Sequence, residues 1–282
     1  MNQQNPQFNP APKRFEGIHT ISEKQFEKWT KKWEEKVGEP KKLIPVFQNN
    51  DNLTIRKIYF SDETVINLIS SLGVENIKAR FAIMDDYAPY EITRDTFTII
   101  LFATDNQGNI GSAYHVGLPE YQYDLRLREV GIPAYDEAGY ISDLLAAKWI
   151  NGWMDIIKPL EQIEKYEQVH PGKMLDLEFP QKLFVNDSYG ALTGYNYIMR
   201  DFMDSLYPKG VRKKNYDVII LLAAHNRIDH TADETKSIFT FGLVVAGMEL
   251  KNPIAALQSG NAGDQEDVNS YYDLSLPTPP NQ

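Results

Sequence analysis

The chain has no cysteine. Disulfides, thiol nucleophiles and sulfur-ligated zinc are excluded at once. Positive charge is also scarce: 29 Lys and Arg stand against 39 Asp and Glu, a formal net charge of −10 over 282 residues. Nucleic-acid affinity and adhesion to anionic lipid both depend on clustered Lys and Arg, so neither partner is expected. Long apolar runs are missing. The longest, Val218 to Ala224 and Phe241 to Met248, are far too short to span a bilayer, and no membrane insertion is expected. There is no GxGxxG, no phosphate-binding loop, no GxSxG and no HExxH, which counts against common nucleotide-dependent enzymes, α/β-hydrolases and metalloproteases. The stretch from Met1 to Pro10 lacks the charged and apolar regions of a signal peptide. The expected location is therefore the cytoplasm, or a phage or injection particle assembled there.

What is present is the composition of a packed globular protein: 42% hydrophobic, 12% aromatic and 24% charged residues. The length suits one large domain or two of ordinary size. Residues 1–15 and 258–282 are rich in polar residues and proline without periodicity, and both read as disordered arms.

The clearest internal signal is a repeat. Ile21 to Trp33 overlays Ile141 to Trp153, with Ile, Ser, Lys and both tryptophans coinciding at an offset of 120 in a chain holding only four tryptophans. Ile99 to Asn106 overlays Ile219 to Asn226 at the same offset. Two matches at one offset predict a tandem duplication: a first repeat over residues 16–117, a connecting segment over 118–135 and a second repeat over 136–257. Ser22 and Ser142 are placed to cap the opening helix of each copy, and Ser22 with Gln25 has the spacing of a capping box. Phe26, Trp29, Trp33 and Val37 form one apolar stripe, with Lys and Glu opposite; Leu145, Trp149, Trp153 and Ile156 form the other. Aromatics at helical spacing mostly fill cores, so these stripes read as packing faces.

Further along the first copy, Arg56–Phe60 reads as a strand and Ser61 caps a helix running to Leu72. Ile77–Met84, Asp95–Thr104 and Gly111–Val116 read as strands, the last two joined by a turn at Asp105–Gly108. In the second copy Lys182–Val185, Tyr216–Ala224 and Ser237–Ala246 read as strands. Tyr195–Tyr207 looks helical, against the pattern of the first copy. In the connecting segment, alternation at Leu125–Arg128 suggests an edge strand. The fold class is therefore α+β: an internally duplicated unit, each with an N-terminal amphipathic helix packed on a small antiparallel sheet.

The densest group of possible ligands is His225, Asp229, His230, Asp233 and Glu234, read as a loop after the strand ending at Ala224. Two imidazoles with carboxylates can bind zinc, iron or manganese and activate water. The spacing fits no compact ligand pattern, and the aligned place in the first copy, Asp105–Asn109, is a plain turn. Asp85–Asp86 is a paired carboxylate in a loop, where neighbours generally point apart. Lys209, Arg212, Lys213 and Lys214 form the one basic cluster, and Tyr121, Tyr123, Tyr271 and Tyr272 suit half-buried contacts.

The first copy resembles a group of small bacterial α+β proteins of unknown function. The likeness rests on Ile21–Ser22, Phe60–Ser61–Asp62–Glu63, Arg80, and Ile99–Ala103 followed by Asp105–Asn109. It covers about a hundred residues, a span of short motifs, and implies a fold but no activity. Together these features predict a non-enzymatic structural or adaptor protein engaging other protein subunits, including copies of itself, with no cofactor. The alternative is a metal-dependent hydrolase using His225, Asp229 and His230.

Overall fold

The computed structural model describes residues 18–49, 53–122, 140–141, 145–146, 148–153, 183–186, 190–207, 216–229, 236–249, 268–272 and 276–278. After the short strand β1 (Thr20–Ile21), the Ser22 hydroxyl accepts from the Gln25 N–H at 3.3 Å, satisfying a donor that the first helical turn leaves orphaned. It starts α1 (Glu23–Val37), whose buried stripe is Trp29, Trp33 and Val37. A short α2 (Pro40–Leu43) and a 3-10 turn lead to β2 (Thr54–Phe60). Ser61 then caps α3 (Asp62–Ile69) by accepting from the Thr64 N–H at 3.2 Å.

The strands β3 (Asn76–Met84), β4 (Thr96–Thr104), β5 (Tyr114–Val116) and β6 (Leu118–Gln122) follow. The turn after β4 forms because the Asp105 carboxylate accepts the N–H groups of Gln107 and Asn109, and Gly108 takes the left-handed φ of +85°.

The second half runs β7 (Tyr140–Ile141), helical residues 145–146 and 148–153 (α4), β8 (Val185–Asn186), β9 (Gly190–Ala191), β10 (Gly194–Ile198) and α5 (Met199–Leu206). It continues through β11 (Tyr216–Asp229), β12 (Lys236–Glu249), β13 (Val268–Tyr272) and β14 (Leu276–Thr278). The protein is thus α+β, helices against antiparallel sheets, as its composition and periodicity predict.

The strands form two six-stranded sheets, ordered β1-β5-β4-β3-β10-β14 and β6-β2-β11-β12-β13-β7, besides the small β8-β9 pair. β2 lies in the sheet of the second half, paired with β11, while β10 lies in the sheet of the first half, paired with β3. The interlocking is reinforced by Asp217 of β11, whose carboxylate accepts the Tyr59 hydroxyl at 2.5 Å and the Asp62 N–H at the start of α3 at 2.9 Å.

Hydrogen-bond register relates the two sheets strand by strand. Ile21 pairs with Tyr114, and Ile141 with Tyr271. One residue on, His115 pairs with Leu101, and Tyr272 with Val245. Leu101 then pairs with Ala79, and Val245 with Ile220. Ala79 pairs with Tyr195, and Ile220 with Ile58. The tryptophans supply a cross-check. The Trp33 indole N–H donates to the Leu192 carbonyl at 2.8 Å, and that of Trp153 to the Ile55 carbonyl at 3.2 Å. Leu192 precedes Tyr195 by three residues, just as Ile55 precedes Ile58.

Between the sheets lies one apolar core. Trp33, Phe47, Phe81, Phe97, Trp153, Phe184 and Phe241 meet there, with Trp153 and Phe241 ring centres 5.1 Å apart and Phe81 and Phe241 5.3 Å apart in edge-to-face contact. Trp29 packs on the outer face of the first sheet with Met84, Ile100 and Val116, and Trp149 on the outer face of the second with Ile219, Leu221 and Val244.

Several expectations need correction. The apolar match of Ile99 to Ile219 sets β4 on β11, whereas β4's place in its sheet is that of β12. Apolar strands resemble one another at many offsets, and the correspondence shifts after the helices. β10, not Lys182–Val185, takes the place in its sheet order that β2 takes in the other, and of the helix expected over Tyr195–Tyr207 only Met199–Leu206 is helical, Tyr195–Ile198 being strand. The halves also do not own separate sheets, so the boundaries at 117 and 136 do not divide two independent bodies. Residues 118–122 of the expected connector form β6 on the edge of the second sheet, and residues 268–272 and 276–278 of the expected disordered tail form β13 and β14. Such strands carry little local signal because their partners are distant in sequence. Residues 1–15, Ser142, Ile156 and Leu125–Arg128 lie outside the described residues. Among the described residues no helix is long and apolar enough to cross a membrane.

Candidate functional site

His225 and Asp229 do not sit in a loop. β11 continues through Asp229, with His225 opposite Thr240 and Asp229 opposite Lys236. Positions four apart converge on a helix, but along a strand they separate by about 13 Å, so the backbone does not gather them as adjacent ligands. His230, Asp233 and Glu234 lie outside the described residues, as do Lys209, Arg212, Lys213, Lys214 and Tyr123. Among the described residues no group of three or more His, Asp or Glu is arranged to hold a metal ion. Tyr271 and Tyr272 lie within the second sheet, and Tyr121 is half-buried on β6.

The paired carboxylates at the end of β3 separate in role. Asp86 is exposed, while Asp85 accepts from the Trp29 indole at 3.1 Å and from the ammonium groups of Lys28 at 2.7 Å and Lys32 at 3.3 Å. Lys32 reaches Asp95 at 2.5 Å, and Lys36 joins the same carboxylate. One row of α1, Lys28, Lys32 and Lys36, is therefore laced to the β3–β4 connection instead of facing only solvent. Burial alone would raise the Asp85 pKa, but Lys28, Trp29 and Lys32 outweigh it and hold the carboxyl at about 2. An acid so firmly ionised and so fully engaged is an anchor for the helix, not a proton carrier.

The feature with binding character lies on the other side of α1. An open cleft of about 380 Å³ runs between α1 and the outer face of the first sheet. Phe26, Thr30 and Glu34 form the helical wall; Lys78 and Arg80 of β3 and Phe102 of β4 form the floor; Ile110 and Thr193 close the ends. Strand alternation places Lys78 and Arg80 on the face opposite the buried Ile77, Ala79 and Phe81. The aromatic rings of wall and floor are packed together: Phe26 stacks on Tyr114 with ring centres 4.2 Å apart, and Phe102 meets Phe26 edge-on at 5.5 Å.

Both cations are half-buried. Arg80 donates to the Thr193 hydroxyl at 2.9 Å. Burial pulls its pKa down, and the Glu34 carboxylate on the rim offsets part of that. Lys78 is pulled down by burial and then by the neighbouring Arg80 charge, and no carboxylate lies within salt-bridge distance of it among the described residues. Asn196 of β10 is the register partner of Lys78 and shares its face; its side-chain oxygen is buried without a hydrogen-bond partner among the described residues.

Among the described lining residues the ionisable groups are Lys78, Arg80 and the Glu34 carboxylate. Two cations beside aromatic rings suit binding of a carboxylate that carries an apolar neighbour. Sequence reasoning passed over Lys78 and Arg80 because polar residues alternating along a strand usually mark a solvated face. Comparison with protein-family models, curated proteins and solved structures returns no match for this chain.

Proposed function

We propose that the protein is a non-enzymatic adaptor, built from a duplicated unit, that acts through contacts with other protein subunits. The observation that carries this reading is the cleft: open, cationic and aromatic. Openness suits a polypeptide lying across the surface better than a small substrate, which enzymes generally enclose. The interlocked sheets supply a rigid frame for such a surface. The strand geometry of His225 and Asp229 gives the hydrolase alternative no support of its own.

The test is the size of the full chain, measured by light scattering on a sizing column, purified and in extract of the producing cell. A species well above the 32.3 kDa of the single chain, and of fixed stoichiometry, agrees with an adaptor. Migration as a 32.3 kDa monomer under both conditions contradicts it.

A further inference from the structure

We propose that β1 is an acid-released latch: in mild acid this two-residue strand lifts from β5 and lets water reach His115 and His19, while α1 stays docked on the first sheet. The latch does not depend on the adaptor reading.

The hold of β1 is slight. It is the terminal strand of the first sheet, joined to β5 by the pairs Thr20–His115 and Ile21–Tyr114. Beside them the Val116 N–H donates to the His19 carbonyl at 2.9 Å. So few hydrogen bonds stand against the backbone entropy that the strand regains on release.

Both histidines at this contact resist protonation in place. His115 pairs with Thr20 on one side and Leu101 on the other, and shares their face of the sheet, where Leu101 belongs to the apolar core. It is 1% exposed, and neither ring nitrogen has a hydrogen-bond partner among the described residues. His19 is half-buried, its ring edge-on to Tyr90 with centres 4.9 Å apart. The surrounding elements bring few titratable groups. β4 carries none. Glu23 and Glu27 of α1 act, after burial, on Tyr114, whose side chain alternates to the other face of β5. Tyr90 donates its hydroxyl to the Val116 carbonyl at 2.7 Å, Tyr59 donates to Asp217, and Asp62 and Glu63 open α3. No charge among these groups offsets burial, which lowers the pKa of both imidazoles, that of His115 from 6.5 to about 4. The open edge therefore takes up protons that the closed edge refuses. Closure is fully favoured above pH 6.5 and loses ground as the pH falls towards 4.

What holds α1 has the opposite response. Against burial, Lys28, Trp29 and Lys32 keep the Asp85 pKa at about 2, and Lys32 and Lys36 outweigh burial at Asp95 and lower it too. These ion pairs persist at a pH that loosens β1, so the lysine row of α1 stays tied to the β3–β4 connection. The release is local, with the chain pivoting at Ser22 between β1 and α1.

The test is native-state amide hydrogen exchange of the full chain by NMR, read as protection factors so that the intrinsic pH dependence of exchange cancels. The Val116 amide reports the latch. The Phe81 amide, which donates to the Thr193 carbonyl at 2.9 Å, and the Trp29 indole N–H, which donates to Asp85, report the body. From about pH 7.5 to about pH 4.5 the Val116 protection factor should fall by about fiftyfold or more, while the other two change by less than about threefold. In His115→Leu the fall at Val116 should be at least about tenfold smaller. Unchanged protection at Val116, an equal fall at all three sites, or an undiminished fall in His115→Leu would each overturn the proposal. The wild-type pattern decides by itself should that variant fail to fold.

Discussion

Replacing His115 with Leu should flatten the response of this protein to mild acid. His115 lies on β5 between Leu101 of β4 and Thr20 of β1; it is 1% exposed, and neither ring nitrogen has a hydrogen-bond partner among the described residues. Burial disfavours the imidazolium and depresses the pKa from 6.5 to about 4. The sign follows from proton uptake. Between those values the unfolded chain takes up a proton that the folded chain refuses, so stability is full above pH 6.5 and declines as the pH falls towards 4. At about 1.4 kcal/mol per unit, the loss comes to roughly 3 kcal/mol. Urea unfolding of wild type and His115→Leu at neutral pH and near pH 4 measures it. Burial lowers the pKa of His19 too, but that residue is common to both chains, so their difference isolates His115. At neutral pH the change should be close to neutral, because it removes a buried polar group that had no partner. Equal acid-induced losses in the two chains would refute the reasoning and mean that His115 finds a partner or water when protonated.

Gly194→Ala should be severe. A Cβ there would lie 2.1 Å from the Ala79 carbonyl oxygen, backbone against backbone at the exchanged strand β10, so a loss of about 3 kcal/mol or more is expected in urea unfolding. Asp85→Asn should cost about 1 kcal/mol at neutral pH. Because its folded pKa of about 2 lies below 3.8, that contribution is complete above pH 3.8 and vanishes as the pH falls through 2, which acid titration of the two melting temperatures will show. Ser22→Ala removes the cap of α1 and should cost about 1 kcal/mol in thermal melts.

The parts of the fold legible in the sequence are those with local causes. Ser22 and Ser61 announce α1 and α3 because a capping hydroxyl acts within three residues. Asp105 and Gly108 announce their turn for the same reason, and Trp29, Trp33, Trp149 and Trp153 mark the two helices by their shared four-residue spacing. Strand partnership is non-local and left no such trace. Nothing near Thr54–Phe60 says that it pairs with Val218, or near Gly194 that it pairs with Arg80. His225 seemed to stand in a loop because the apolar run stops at Ala224, yet β11 runs on as a polar ribbon with β12. Lys78 and Arg80 were visible as alternation, but that they line a cleft with Phe26 and Glu34 depends on where α1 packs.

The adaptor reading is tested most directly by size. Light scattering of the full chain on a sizing column, purified and in extract of the producing cell, is predicted to show a species of fixed stoichiometry well above 32.3 kDa. A 32.3 kDa monomer under both conditions would contradict it.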